Sequence, residues 1–286
     1  MSATATSPAA PTRTRASAAR VSFFGVVRSE WIKLWTVRST YWVIGITFAV
    51  MLLLAWAMAA AYSMLGVNGE AEAAGSASVV YAALGPAQMF ASLTLVVVAA
   101  LVVTGEYGTG QIRSTLTAVP TRLPVLWAKG LVVLVVSFVT AAIGTALQLL
   151  LAGLVQPAMR PDWSDPEMLR VVAATPLYIA TVALLGFALG ALVRNTAATI
   201  TIVIGFVLVI ENVLASVPWK PLEWVRPFLP ASAGARVTSP QEYLDMAGEM
   251  SRQAVNLSPW EGYAVLVGWV VLLVALAAVR LRTRDA

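Results

Sequence analysis

The chain is 286 residues long, with 59% hydrophobic residues, 12% charged residues and a mean hydropathy of +0.81. That balance lies outside the soluble globular range and makes lipid the expected solvent. It contains no Cys and no His, which excludes disulfides, thiolate nucleophiles, imidazole bases and the common zinc and haem ligand sets.

Residues 1–22, rich in Ala, Thr, Ser, Pro and Arg, are too small and polar to bury a core. They are expected to form a disordered cytoplasmic tail. Over 23–35 an amphipathic helix is predicted, with Phe23, Phe24, Val27, Trp31, Leu34 and Trp35 on one face and Ser29, Glu30 and Lys33 opposite. It either lies in the membrane interface or serves as a simple aromatic anchor.

Apolar runs then predict spans at about 41–62, 79–103, 126–155, 171–193, 197–217 and 262–279. The expected fold is all-α and polytopic, a single domain over 23–286 with both termini on one side.

Between the second and third spans lies a polar island at 104–122. Thr109 is expected to cap a short helix reaching Thr115 or Leu116, with Gly108 and Gly110 bending its entry and Pro120 and Pro124 stopping it. No phosphate-cradling Gly-x-x-x-x-Gly-Lys-Ser/Thr pattern occurs, so the chain is not expected to hydrolyse ATP or hold a cofactor or metal.

Of the 19 Lys and Arg residues, thirteen fall in the N-terminal segment, the 104–129 region, the fourth-to-fifth turn and the C-terminal tail. Most Asp and Glu residues fall opposite. The positive-inside bias makes the first side cytoplasmic. Because the basic residues sit beside spans, orientation accounts for the +5 net charge and nucleic acid is not an expected partner.

Small residues in the third and fourth spans, Gly144, Gly186 and Gly190, permit close helix approach, within the chain or at a subunit interface. Ser164, Pro166 and Glu167 start the fourth span. The connection 218–261 is turn-rich, with Trp219 and Trp224, and Ser258, Pro259 and Glu261 form a helix start. Among polar groups within spans, Gln148, Glu211 and Asn212 are candidates for a translocation path. Alternatively, Glu211 sits near the headgroups and pairs with Lys220 or Arg226.

The stretch Thr-Gly-Glu-Tyr-Gly-Thr-Gly-Gln-Ile-Arg-Ser-Thr-Leu at 104–116 resembles the cytoplasmic coupling segment of ABC-2 family ABC transporter permeases. Two further stretches are similar to actinobacterial members: Arg-Ser-Glu-Trp-Ile-Lys-Leu-Trp-Thr-Val-Arg-Ser-Thr at 28–40 and Leu-Ser-Pro-Trp-Glu-Gly at 257–262. The resemblance implies a non-catalytic permease subunit of the cell membrane with an elbow helix carrying Phe23, Phe24, Trp31 and Trp35. It implies a coupling helix in which Glu106, Tyr107, Gly108, Thr109, Arg113 and Ser114 dock a separate ATPase subunit that holds ATP and Mg. It further implies short re-entrant helices and a lid in 218–261, a second permease copy or paralogue, and export of a substrate. A secondary carrier working through Glu211, or a membrane scaffold without an ATPase, is the alternative.

Overall fold

The computed structural model describes residues 22–65, 76–118, 122–217, 219–251 and 255–283. Within them the chain is helical, and six helices are long and apolar enough to cross a membrane. These are α2 (Arg38–Met64), α3 (Ser76–Thr109), α5 (Leu123–Val155), α6 (Pro166–Val193), the broken helix Thr196–Leu214 and α12 (Pro259–Thr283). Five take in the apolar run the sequence predicts and extend past most of its edges, whereas the fifth stops short of the predicted end at 217. The spans need not stop where hydrocarbon does, because backbone hydrogen bonds propagate until a cap or a breaker ends them. The tail expected over 1–22 falls, up to residue 21, outside the described residues.

The bundle is built around α3 and α6. Their apolar windows are 61% and 72% buried, against 17–22% for α2, the broken fifth span and α12, which therefore face outward. Small residues draw the central pair together: a Cβ placed on Gly186 would lie 2.9 Å from Val96 Cγ1, and one on Gly190 would lie 3.4 Å from Thr104 Cγ2. On the other flank, a Cβ on Gly144 would meet Met51 Sδ at 2.5 Å, seating α2 against α5. All three glycines pack helix against helix within the chain.

A helix α1 (Phe23–Thr36) precedes the bundle, and its packing reverses part of the expected pattern. Val26, Glu30 and Leu34, spaced by four, face inward and are buried, whereas Phe23, Phe24 and Trp31 are exposed and Trp35 is half-buried. Leu34 packs with Val98, Val132 and Val136. Glu30 is not on a solvated face as the amphipathic pattern suggested, because two lysines meet it there.

The connection between α3 and α5 also differs from expectation. Helix α3 runs on through Gly105 and Gly108 to Thr109, whose hydroxyl donates back to the Gly105 carbonyl at 2.9 Å instead of capping a new helix. The break falls at Gly110 alone, with φ +74°, a left-handed conformation that favours glycine. Helix α4 then occupies Gln111–Ala118, so it starts one residue later and ends two or three residues later than predicted. Pro120 lies outside the described residues, and Pro124 sits in the first turn of α5, where its missing N–H has no partner to lose.

At the opposite end, Asp165 caps α6 by accepting from Glu167 N at 2.8 Å, while Ser164 bonds to Asp162. The predicted Ser164 cap is therefore displaced by one residue. The fifth span comprises α7 (Thr196–Ile204), a π-helical turn (Gly205–Ile210) and α8 (Glu211–Ser216). Beyond it come the short helices α9 (Lys220–Val225), α10 (Pro230–Ala235) and α11 (Gln241–Ser251). The connection from α10 to α11, and α11 itself, are tied to α3 and α6: Arg170 donates to the carbonyls of Val237 and Ser239 at 2.8 and 3.0 Å, Gln88 to Thr238 at 3.0 Å, and Ser78 to Glu242 at 2.5 Å. The start of α12 is the predicted reciprocal cap, with Ser258 N donating to Glu261 Oε2 at 2.8 Å and Glu261 N to Ser258 Oγ at 3.4 Å.

Candidate functional site

Four charges of alternating sign close a ring where α1, α3 and α5 meet. Lys129 Nζ lies 2.5 Å from Glu30 Oε2 and 2.8 Å from Glu106 Oε1; Lys33 Nζ lies 2.7 Å from Glu30 Oε1 and 2.8 Å from Glu106 Oε1. The geometry follows from local structure. Glu30 and Lys33 are one turn apart on α1, Glu106 sits in the last turn of α3, and Lys129 sits in the second turn of α5. Lys33 also donates to Thr115 Oγ1 on α4 at 3.4 Å, so four elements converge on one cluster.

Glu30, Glu106 and Lys129 are buried, and only Lys33 reaches outward, with 39% of its side chain exposed. Removing three charges from water is costly unless each is paired and hydrogen-bonded, which the ring achieves with no net charge. At Lys33, burial works against the ammonium, but the hydrogen bonds to Glu106 and Glu30 outweigh it and hold its pKa above the ordinary lysine value. Glu106 Oε2 is buried without a hydrogen-bond partner among the described residues. The ring borders a cavity of about 570 Å³, whose other wall is formed by Leu34, Val43, Val98 and Leu101 with Thr109 and Ser114 at the rim.

The residues predicted to dock a partner thus fall into two groups. Gly108, Thr109 and Ser114 are exposed, as a contact surface requires. Glu106, expected at an exposed rim, is buried because both lysines reach it, and Tyr107 is half-buried with the Arg194 guanidinium 5.0 Å above its ring. Arg113 belongs to α4, but its side chain lies outside the described residues. Glu30, Lys33 and Lys129 were not singled out from the sequence. Lys129 carried the one available signal, a cation two turns inside an otherwise apolar helix.

The span candidates do not come together. Gln148 is fully buried between α5 and α2, donating to the Met51 carbonyl at 3.4 Å, with its own Oε1 unpartnered among the described residues. Asn212 is exposed and bonds back to the Leu208 carbonyl at 2.9 Å within its own helix. Glu211 is buried, and its carboxylate accepts from Ala231 N at 3.0 Å, from Ser232 N at 2.7 Å and from the Ser232 hydroxyl. It thereby caps the N-terminus of α10 from another helix, where the exposed amide hydrogens and the helix dipole favour an anion. The π turn just before Glu211 shifts the helix phase by one residue and aims that carboxylate.

Among the described residues no group of three or more Asp and Glu side chains is placed to hold a metal ion. No family model matches the sequence, and no curated protein is significantly similar to it.

Proposed function

We propose that this chain is the membrane-spanning subunit of an ABC-2 type transporter, moved by an ATPase subunit that docks on the α4 end of the bundle. The observation that carries the reading is the charge ring. A force applied to α1 reaches α3 and α5 through short ionic contacts that need no slack to be taken up, and α4 joins them through the Lys33–Thr115 hydrogen bond, so both spans move as one body. The similarity of 104–116 and 28–40 to permease coupling and elbow segments supports the same assignment, since these two stretches supply Glu106, Thr115, Glu30 and Lys33. On this reading the α1 end is cytoplasmic, and export follows from tilting of the spans. A carrier working through Glu211 has less support, because that carboxylate already caps α10.

The test uses the exposed rim and spares the ring. Ser114→Arg is expected to leave expression and melting temperature unchanged while lowering co-purification of an ABC ATPase subunit from the native host. In proteoliposomes containing both subunits, the same change is expected to reduce ATPase stimulation and transport together. If no ATPase co-purifies with the parental chain, or if Ser114→Arg leaves both activities intact, the assignment fails.

A further inference from the structure

We propose that the groove between α5 and α6, at the end of the bundle remote from α1, binds one phospholipid with an acyl chain along the groove and the phosphate on Arg160. The groove has a volume of about 680 Å³. Its floor is made by small residues of α5, Ala142 and Ala146, which leave a trough where larger side chains would fill the space. Leu150 and Leu154 flank it and are exposed. Residues 142–154 of a helix extend about 18 Å, close to the depth of one leaflet's hydrocarbon, which is about 15 Å. Apart from Arg160 and the buried Thr145, its lining is apolar. In lipid such a trough is filled by hydrocarbon.

The mouth decides which hydrocarbon. After α5 ends at Val155, a tight turn over Pro157–Met159 sends the chain back across the helix end. Arg160 then lies over Gly153: its Nε donates to the Gly153 carbonyl at 3.1 Å, and a Cβ on Gly153 would meet Arg160 Cγ at 3.0 Å. The guanidinium is therefore fixed at the mouth, exposed, with no hydrogen bond from Nη1 or Nη2 among the described residues. Trp163 stands beside it, 57% exposed, as interfacial indoles do at headgroup depth. Asp162, the neighbouring acid, accepts from the Ser164 hydroxyl and amide, which holds its carboxyl below the usual range. Two free, fork-shaped cationic donors above an apolar slot suit a phosphodiester joined to an acyl chain.

Native mass spectrometry of the full chain tests this, after purification in mild detergent and exchange through micelles containing phosphatidylglycerol. The parental protein is expected to keep one phosphatidylglycerol per chain through a detergent wash. Arg160→Gln, a change at an exposed side chain, is expected to lower the retained fraction at least about tenfold, as loss of a charge-assisted contact does. Ala146→Phe, which fills the trough, is expected to abolish retention. Equal retention by all three proteins overturns the proposal. Loss only with Arg160→Gln overturns the placement of the chain in the groove, and loss only with Ala146→Phe overturns the phosphate contact. A dimer that Ala146→Phe dissolves would assign the groove to a second copy and overturn it as well.

Discussion

Lys129 is the residue on which the α1 end of the molecule depends. Buried between two carboxylates at 2.5 and 2.8 Å, it is the one of the ring's two cations that is shut off from water. Lys129→Met would leave Glu30 and Glu106 with only the half-exposed Lys33, and unfolding in detergent is expected to register a loss of about 3–5 kcal/mol. Adding Glu30→Gln to that variant removes one of the stranded charges, so the double variant is expected to be more stable than Lys129→Met alone. Lys33 makes the ring sensitive to alkali. Because its folded pKa is raised, its contribution is complete below the ordinary value of 10.5 and is lost as pH rises through the higher folded value. The melting temperature of the parental chain is expected to fall more steeply above pH 10.5 than that of Lys33→Gln.

Among elements, α12 shows how far a glycine's role depends on what it faces. A Cβ on Gly262 would lie 2.4 Å from the Ala233 carbonyl oxygen and 3.0 Å from Arg236 Cδ, where α10 crosses α12. On the same helix a Cβ on Gly268 meets nothing within 4 Å. Gly262→Ala is expected to lower stability by about 1–3 kcal/mol, since the obstruction is backbone and cannot rotate away. Gly268→Ala is expected to be neutral or stabilising by up to about 1 kcal/mol, through helix propensity alone. Parallel thermal melts of the two variants decide between packing and propensity. A matching loss in both would show that α10 does not seat on Gly262. The contact matters for the fold because Glu211 reaches α10 from the other side, so α10 is held between the fifth and sixth spans.

At the scale of the whole molecule, α1 and α4 lie at one end of the bundle and the short helices α9 to α11 at the other. Across the six candidate spans the charge bias makes a cytoplasmic α1 end the expected orientation, as the proposed function requires. The absence of cysteine makes this directly measurable, because any introduced thiol is unique. Gln111→Cys and Ser164→Cys, both at exposed positions, are expected to react differently with a membrane-impermeant maleimide applied to intact cells. Ser164→Cys should label, and Gln111→Cys should label only after lysis. The reverse pattern would invert the topology and remove α4 from the reach of a cytoplasmic ATPase.

The six spans were legible from hydropathy because membrane insertion depends on the sum of apolar residues along a helix, and that sum is a local property of the sequence. The cap at Ser258 and Glu261 was legible for the same reason, since donor and acceptor lie three residues apart. Where the chain bends between α3 and α5 was only partly legible. Three glycines stood within six residues, and only the folded backbone shows that Gly110 alone takes the left-handed turn. The charge ring was hidden because its members come from three helices, separated by 73 and 99 residues at the closing contacts. On α1, a solvated Glu30 and a buried one read identically, since periodicity reports a face and not what faces it. Tertiary packing decided that Glu30 and Glu106 face lysines and that Glu211 faces the N-terminus of α10, because an ion pair needs its counter-charge within a few ångströms in space.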